Sequence, residues 1–408
     1  DLDLILNING SPFSIGKKNQ REQILRQRIK ENNIPIAYVN MVGGQDELVF
    51  DGGSMVAGPD GEIIARGNQF AEDLIICDLD IKTNERNSTK PLPTPSKYDT
   101  PEIFVSYPND QNRQKLVSKI NPQLSKIGEV YEALVLGTRD YVKKCGFDKV
   151  LIALSGGIDS SLVAAIATDA LGPKNVVGIS MPSRFSSIGS KTDAQRLANN
   201  LGIQIETIPI EQSFEAMEQT LKPQFKGTEW NTAEENMQSR IRGNLIMSMS
   251  NKFGWMVLTT GNKSEMAVGY ATIYGDMAGG FAVIKDVPKL MVYELCNHLN
   301  SSNRKALIPQ SVIKKPPSAE LRDNQKDSDS LPDYNILDPI LEAYVENNLS
   351  YDEIVSLGYE REVIQHIVGL VDKNEYKRRQ SAPGIKITDM NFGRDRRMPV
   401  ANGYNSFK

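Results

Sequence analysis

The residues best suited to chemistry form the stretch SGGIDSS at positions 155–161, between an apolar run and a helical pattern. Gly156 and Gly157 can adopt positive φ and expose their backbone N–H groups. Together with the hydroxyls of Ser155, Ser160 and Ser161 and a helix N-terminus, these groups would cradle an anion such as a phosphate. We therefore expect a phosphate-binding turn here.

Asp159 adds a carboxylate to this predicted anion site. A carboxylate beside a phosphate is costly unless a divalent cation bridges the two, so the stretch predicts Mg²⁺. The alternative is a plain strand–helix turn with Asp159 or Ser160 as helix cap, which the full pattern disfavours. The sequence lacks both GxxxxGK followed by Ser or Thr and GxGxxG. A γ-phosphate-transferring P-loop is thus excluded and a dinucleotide redox fold is disfavoured.

Alternating elements must position this turn. From residue 119 onwards, strand-like apolar runs alternate with helical patterns. The predicted strands lie at 149–154, 175–181, 203–210 and 254–260, and the predicted helices at 119–144, 159–171, 193–201 and 233–252. Such alternation predicts an α/β fold with a doubly wound parallel sheet, whose ligands bind beyond the carboxyl ends of the strands.

The first 80 residues follow a different pattern. They predict a buried strand at 2–9, an amphipathic helix at 20–32, further strands at 34–42, 53–67 and 72–80, and a hairpin turn at 59–61. Residues 81–114 are rich in Pro, Ser, Thr and Asn, which predicts a linker. We therefore divide the chain into a sheet-rich α/β domain (1–80), a linker (81–114) and a second domain (115–408).

The bulk composition disfavours several classes of protein. The 408 residues include Lys+Arg 47 and Asp+Glu 51, a net charge of -4, so no basic field favours nucleic acid or a membrane surface. No apolar run is long enough to span a bilayer. The three cysteines and two histidines form no metal or disulfide pattern, which fits a cytoplasmic protein. Because the chain begins at Asp1 within a strand pattern, we expect it to be part of a longer protein.

Several motifs resemble known families. SGGIDSS resembles the phosphate loop of the N-type ATP pyrophosphatases, which cleave ATP between its α and β phosphates. The later motifs resemble glutamine-dependent NAD synthetases: EENMQSRIRGNLIMSMSN, TTGNKSEMAVGYATIYGDMAGG, KPPSAELRDNQKDSDSLPDYNILDPIL and YKRRQSAPGIKITDMNFGRDRRMP. NINGSPFSIGKKNQR and NMVGGQDELVFDGGS are similar to the end of their nitrilase-like glutaminase domain. The resemblance implies an adenine nucleotide alpha hydrolase-like domain preceded by a partial nitrilase-like α/β domain.

The resemblance implies ATP-dependent amidation of deamido-NAD through an acyl-adenylate, with Mg²⁺ as cofactor and ATP as co-substrate. It places ATP on Ser155, Gly156, Gly157, Ile158, Asp159, Ser160, Ser161, Thr260, Lys289 and Ser318. It places deamido-NAD on Asn236, Arg240, Glu265 and Lys377, and the metal on Asp159 and Glu265. Ser155, Asp159 and Lys289 are the expected catalytic residues.

Several of these residues have a plainer interpretation. Glu265 could be an ordinary carboxylate at a helix start, and Lys289 a solvated lysine at a helix start. Ser318 could cap a helix over AELR, and both roles could hold. Arg240 could form a surface ion pair beside an exposed Asn236. Family resemblance favours the functional role for Glu265, Arg240 and Lys289 and leaves Ser318 undecided.

The C-terminal stretch is basic. Its cations are Lys377, Arg378, Arg379, Arg394, Arg396 and Arg397. A solvated charge run and a nucleic-acid arm are the alternatives. APGIKITDMNFG interrupts the run with an ordered pattern, so we expect part of it to close over the nucleotides. Two segments, 181–187 and 221–232, are predicted lids because of their loop composition.

The front block carries the predicted glutamine-binding residues Ser11 and Lys17, although Ser11 could simply cap a turn. In the family, the nucleophilic Cys precedes the NINGSPF segment and would fall before Asp1. Cys77 lies in a predicted buried strand and is expected to be inert. We therefore expect no glutaminase activity from this chain alone, and amidation with ammonia only.

Other functions stay open at this point. Another ATP pyrophosphatase could use the same loop with a different acid. A non-catalytic adenine-nucleotide binding module with a degenerate front block is the second alternative, although the presence of both Asp159 and Glu265 argues against it. The resemblance implies small-molecule substrates only and a homo-oligomer.

Overall fold

The computed structural model describes residues 2–79, 116–302, 306–401 and 403. The predicted linker at 81–114 lies outside the described residues. Contacts group the chain into two compact units. The smaller unit comprises Asp1–Gly10, Lys18–Met41 and Gly52–Gln123, and the larger unit comprises Ser11–Lys17, Val42–Asp51 and Leu124–Lys408. Two short segments of the predicted first domain therefore belong to the larger unit by their contacts.

The regular elements alternate along most of the chain. The strands are β1 (Ile5–Asn9), β2 (Ile36–Asn40), β3 (Val42–Gln45), β4 (Leu48–Asp51), β5 (Met55–Ala57), β6 (Ile63–Arg66), β7 (Val150–Ala153), β8 (Val176–Ser180), β9 (Gln204–Thr207), β10 (Met256–Thr259) and β11 (Phe281–Ala282). The α-helices are α1 (Lys17–Asn32), α2 (Lys126–Lys144), α3 (Ile158–Leu171), α4 (Ile188–Leu201), α5 (Glu211–Leu221), α6 (Thr232–Phe253), α7 (Lys263–Val268), α8 (Lys289–Ser302), α9 (Gln310–Lys314), α10 (Tyr334–Leu341), α11 (Tyr351–Ser356), α12 (Arg361–Lys373) and α13 (Glu375–Arg378). No helix within the described ranges is long and apolar enough to cross a membrane.

The smaller unit is built on one sheet with the order β1-β2-β5-β6. β1 and β2 are parallel, whereas β5 is antiparallel to both of its neighbours. Leu25 and Ile29 of α1 pack against Ile36, Tyr38 and Met55 on one face of the sheet. The hairpin turn predicted at 59–61 is confirmed, since β5 and β6 pair across it.

Two sequence predictions for the front block are wrong. Residues 2–9 contain β1, but β1 is an edge strand rather than a buried one, with Leu6 70% and Ile8 87% exposed. Residues 72–79 form no strand, and Leu74 and Ile76 are exposed. Their alternating apolar pattern predicted a strand, but it found no neighbouring strand among the described residues with which to pair.

The larger unit contains a five-stranded sheet with the order β11-β10-β7-β8-β9, in which all neighbours are parallel. The predicted parallel α/β fold is thus confirmed. β8 and β9 extend the sheet on one side of β7, and β10 and β11 extend it on the other. The order therefore reverses between β7 and β10, and ligands bind beside such a switch point, outside the carboxyl ends of the strands.

Two further features complete the larger unit. α10 and α12 bury Leu337, Ile340, Ile364 and Ile367 in a helical cluster that follows the sheet. The antiparallel hairpin β3–β4, which the sequence analysis missed, lies against α2, where the Gly44 N–H donates to Asp140 Oδ2 at 2.7 Å.

Candidate functional site

The turn at 155–161 has the conformation that a phosphate loop needs. It joins the end of β7 to the start of α3. Gly156 has φ +79°, and a Cβ at this position would lie 2.2 Å from the backbone oxygen of Ser190. Both the backbone angle and the close approach of the Ser190 backbone therefore require glycine.

The hydroxyls of the turn organise its backbone. Ser155 Oγ accepts from the Gly157 N–H at 3.2 Å and lies 3.2 Å from Ser160 Oγ. Ser160 and Ser161 both donate to the Gly157 carbonyl, and Ser161 is fully buried. Gly157 is the residue that caps α3, so the alternative with Asp159 or Ser160 as cap is wrong.

A cavity of about 280 Å³ opens at this turn, near the carboxyl ends of β7, β8 and β10. Of the ATP-binding residues predicted from the sequence, the ones that line it are Ser155, Gly157, Ile158, Asp159, Ser160, Thr260, Lys289 and Ser318. Gly156 and Ser161 do not line it, and they act on the shape of the turn instead. Ile179, Met181 and Val257 give the cavity an apolar wall, which suits a flat base.

Three charged groups meet at one side of the cavity. Lys289 Nζ lies 2.5 Å from Asp159 Oδ2 and 3.3 Å from Glu265 Oε1. Asn262 donates to Asp159 Oδ1 at 2.9 Å and, as the cap of α7, accepts from the Glu265 N–H at 3.0 Å. The Lys289 side chain is 1% exposed, so the interpretation as a solvated lysine is wrong. Glu265 does lie in the first turn of α7, but its carboxylate also faces Lys289.

The charged groups at this side of the cavity shift the pKa values of Glu265 and Lys289. Burial raises the pKa of Glu265; Lys289 opposes this shift and Asp159 adds to it. Burial disfavours the charge of Lys289, but Asp159 and Glu265 outweigh that effect and raise the pKa of Lys289 above its ordinary value. Because the pKa of Glu265 rises to about 8, Lys289 and Asp159 balance each other near neutral pH, and a cation bound beside Glu265 would favour its ionised form.

The two carboxylates also have a geometry that fits a bound cation. Asp159 and Glu265 both contact the same nitrogen atom, so they can face a single positive charge. The part of the chain that the structure describes holds no group of three or more His, Cys, Asp or Glu that could bind a metal. A metal at this pair would therefore take its other ligands from water or from ATP, as Mg²⁺ commonly does.

Ser318 lies in a loop on the cavity wall. Its hydroxyl donates to the Gln325 carbonyl at 2.6 Å and accepts from the Glu320 N–H at 3.1 Å. No helix begins at AELR, so the interpretation as a helix cap is wrong. Glu320 in turn accepts from Ser190 Oγ at 2.7 Å, which holds this loop against the start of α4.

Of the four residues predicted to bind deamido-NAD, Glu265 lines the main cavity, and the other three contact the segment 269–277. Asn236 accepts from Thr272 Oγ1 at 2.7 Å, and Arg240 donates to the Ile273 carbonyl at 3.3 Å. Lys377 donates to the carbonyls of Gly269 and Ala271. Arg240 makes no ion pair with any residue that the structure describes, which disfavours the alternative of a surface ion pair. None of the three lines the larger cavity, but the segment that they contact does.

Some of the C-terminal cations are packed and others are exposed. Arg378 is buried and pairs with Glu375, which also pairs with Arg379. Arg396 lies over the ring of Tyr344 at 4.5 Å. The interpretation as a solvated charge run is therefore wrong for Arg378 and Arg396, whereas Arg379, Arg394 and Arg397 are exposed.

The comparisons with known proteins agree with this geometry. The NAD synthase family model matches residues 130–381, and the carbon-nitrogen hydrolase model matches residues 2–86. A glutamine-dependent NAD(+) synthetase of Thermotoga maritima is 50% identical over 98% of this chain and 70% of its own length. A Synechocystis protein of the same name is 48% identical over 99% and 67%. The chain belongs to the glutamine-dependent NAD(+) synthetase family.

Solved structures agree with this family assignment. The glutamine-dependent NAD⁺ synthetase of Acinetobacter baumannii, solved with ADP, aligns with a TM-score of 0.67 and 40% identity over 99% of this chain and 69% of that chain. An NH3-dependent NAD synthetase of Campylobacter jejuni aligns with a TM-score of 0.51 and 28% identity over 62% of this chain and 96% of that chain. The family resemblance drawn from the sequence motifs is confirmed.

The residues predicted to bind glutamine are not part of the cavity lining. Lys17 begins α1, and neither Ser11 nor Lys17 lines the cavity. Cys77 is partly exposed and lies in no strand, which corrects the prediction of a buried strand residue. Partial burial nevertheless raises the pKa of its thiol, and the negative charge of Asp78 raises it further. The raised pKa disfavours the thiolate form.

The two predicted lid segments contact each other. The ring of Phe185 lies 5.9 Å from that of Trp230, which also lies 6.1 Å from Phe214. Ser186 of the first segment lines the cavity, whereas the second segment does not. The lid role stays a prediction for both.

Several groups around the main cavity were not predicted from the sequence, among them Arg242, Lys315, Asp327 and Asp276. Asp276 lines both the main cavity and a smaller one of about 60 Å³ beside it. It accepts from the Thr272 N–H at 2.7 Å. Although solvent in the cavity reaches this carboxylate, the surrounding protein raises its pKa to about 6. The motif YGD contains Asp276, but its position at the cavity was not visible in the sequence.

Asp276→Asn is expected to change how stability depends on pH. Because the pKa of Asp276 rises from 3.8 to about 6 on folding, the folded chain holds this proton more tightly than the unfolded chain. The contribution of Asp276 to the free energy of unfolding therefore falls as the pH rises between these values, and Asn removes that fall. Denaturant unfolding across this range measures it, with Asp352→Asn at an 85% exposed side chain as control. Equal pH dependence in wild type and Asp276→Asn would contradict the assignment.

Proposed function

We propose that this chain converts deamido-NAD to NAD by ATP-dependent amidation, releasing AMP and pyrophosphate. The observation that carries the proposal is a phosphate turn at the switch point of a parallel sheet, whose Asp159 contacts Lys289, which also contacts Glu265. The family supports the use of ATP and of small-molecule substrates. Since the solved Acinetobacter relative holds ADP, an adenine nucleotide in this cavity is in keeping with that family.

The chemistry needs ATP because a carboxylate is a poor electrophile. An oxygen of the pyridine carboxylate attacks the α-phosphorus of ATP, the bond to the β-phosphate oxygen breaks, and pyrophosphate leaves. Ammonia then attacks the carbonyl carbon of the acyl-adenylate, and AMP leaves with the former carboxylate oxygen. Each step replaces one leaving group, so no side-chain nucleophile is required.

The chain's own residues position the phosphates and balance their charge. The N–H groups of the turn and the α3 N-terminus bind the β and γ phosphates. Lys289 stabilises the charge that develops on the departing pyrophosphate. Asp159 and Glu265 would hold Mg²⁺, which, when bound, would neutralise phosphate charge and orient ATP. Thr260 and Ser318, both on the cavity wall, offer further hydroxyls to the nucleotide.

Deamido-NAD is assigned to the neighbouring segment 269–277. Asn236, Arg240 and Lys377 hold this segment, and Arg240 and Lys377 provide positive charge for a dinucleotide phosphate. Asp276, with its pKa of about 6, is mostly ionised at neutral pH and is the group we assign to accept the proton that ammonia releases. We also propose that the chain is cytoplasmic and forms a homo-oligomer.

The deciding experiment is AMP release from Mg-ATP and deamido-NAD, with ammonium or glutamine as the nitrogen source. We expect AMP and NAD in equal amounts with ammonium. The Campylobacter jejuni structure, whose alignment covers 62% of this chain, is described as an NH3-dependent NAD synthetase. The glutamine arm reports whether the front block contributes. ATP binding without AMP release would favour a non-catalytic nucleotide module, and AMP release with another acid would favour a different ligase.

A further inference from the structure

The N-terminus of α8 is held by a buried chain of hydrogen bonds. The Lys289 N–H donates to Ser264 Oγ at 2.9 Å, and Ser264 Oγ donates to Asp338 Oδ1 at 2.5 Å. The other oxygen of Asp338 accepts from the Leu290 N–H at 2.8 Å. Ser264 is fully buried and Asp338 is 8% exposed. One carboxylate therefore satisfies the first two N–H groups of the helix, one directly and one through a hydroxyl.

These hydrogen bonds join three helices on the side of the cavity where Lys289 and Glu265 lie. Ser264 belongs to α7 and precedes Glu265, Lys289 is the first residue of α8, and Asp338 belongs to α10. A second bond, from the Lys263 N–H to the Val287 carbonyl, also joins α7 to the segment before α8. That bond fixes residue 287, whereas the Ser264 bond fixes the backbone of Lys289 itself.

We infer that Ser264 and Asp338 are positioning residues for the amidation reaction: they hold Lys289 and Glu265 at the separation at which both side chains can act on the phosphates of ATP. This inference rests on the proposed function. Neither residue touches the reacting groups, so each acts through Lys289.

A plain helix cap would explain the bond from Leu290 but not the rest of the arrangement. A carboxylate at a helix N-terminus needs only the direct bonds to the backbone. Here the hydroxyl between Asp338 and Lys289 comes from the residue next to Glu265, so the same bonds set the distance between α7 and α8. Lys289 Nζ reaches Glu265 Oε1 at 3.3 Å across that distance.

The test compares Ser264→Ala, Asp338→Asn and the double variant in the ammonium assay. Ser264→Ala leaves the Lys289 N–H and one Asp338 oxygen without their bond, and should lower kcat about 10- to 100-fold through misplacement of Lys289. The KM for deamido-NAD should change by less than about twofold, because Asn236 and Arg240 lie on α6. The double variant should be no worse than the worse single variant, since both changes break one chain of bonds.

Ser350→Ala is the matched control, because Ser350 caps α11 by accepting from the Glu353 N–H and lies outside the cavity lining. It should lower the melting temperature without changing kcat. A kcat for Ser264→Ala and Asp338→Asn within about twofold of wild type, per mole of folded enzyme, would overturn the inference. So would effects on kcat that multiply in the double variant.

A second variant and a second measurement cover the cases in which the first comparison fails. Asp338→Asn preserves side-chain size and the bond from Leu290, so it carries the kinetic comparison where Ser264→Ala does not fold. If the wild type forms no AMP, the proposed function fails separately, and calorimetric titration with Mg-ATP then measures positioning. Binding weakened about tenfold by both variants, but not by Ser350→Ala, would support the inference, and unchanged binding would overturn it.

Discussion

Lys289→Met should lower kcat for AMP formation by about 10²- to 10³-fold while the chain still folds. Lys289 is the cation that the structure places against both Asp159 and Glu265, at 2.5 Å and 3.3 Å, at the edge of the phosphate turn. Methionine preserves most of the apolar stem but removes the charge that would stabilise departing pyrophosphate. The effect should therefore fall mainly on kcat, which single-turnover measurement of AMP release can separate from product release.

The same substitution should also lower stability. Lys289 is 1% exposed, and its loss leaves two neighbouring carboxylates without their ammonium. Removing one partner of a buried charged pair commonly costs about 3–5 kcal/mol, and the protonation of Glu265 at lower pH should reduce that cost. The free energy of unfolding of the variant should thus fall further below that of wild type as the pH rises.

Lys126→Met provides the matched control for Lys289→Met. Lys126 is also the first residue of a helix, α2, but it is exposed. The substitution Lys126→Met should leave both kcat and the free energy of unfolding nearly unchanged. Equal kinetic effects of the two substitutions, or a kcat for Lys289→Met close to that of wild type, would contradict the catalytic role of Lys289.

The parts of the candidate site that are close together in the sequence could be predicted from local patterns. The phosphate turn, its preceding strand and its following helix lie within residues 149–171, so their pattern could be recognised directly. The alternation of strands and helices then predicted the parallel sheet, and the carboxyl ends of its strands predicted the position of the cavity. These inferences need only the local periodicity and the rule for parallel sheets.

The contacts between distant segments could not be predicted in this way. Lys289 and Asp159 are 130 positions apart, and only the fold places the ammonium against the carboxylate. The support of Lys289 by Asp338 depends on α10, whose approach to α8 leaves no periodic signal. The wrong prediction of a buried strand at 2–9 has a related cause: the apolar pattern of β1 is real, but burial depends on which elements cover it.

Gly156→Ala should abolish measurable ATP binding, weakening it by at least about 100-fold, because the change displaces the turn that receives the phosphates. Two effects act at this position. The residue has φ +79°, which costs an L-residue about 1–2 kcal/mol, and an added Cβ would lie 2.2 Å from the Ser190 backbone oxygen. Alanine can relieve the second effect only if the turn or the start of α4 moves.

Gly146→Ala separates the two effects, because Gly146 has the same φ of +79° but nothing within 4 Å of an added Cβ. Gly146→Ala should lower the free energy of unfolding only by the cost of the positive φ and should leave ATP binding unchanged. Gly156→Ala should lower the free energy of unfolding further and should abolish ATP binding. Denaturant unfolding and calorimetric titration of both variants measure this difference. Equal stability losses would mean that the turn absorbs the Cβ without moving Ser190. Retained ATP affinity in Gly156→Ala would mean that the phosphates do not depend on the shape of this turn, which would remove the main support for placing ATP there.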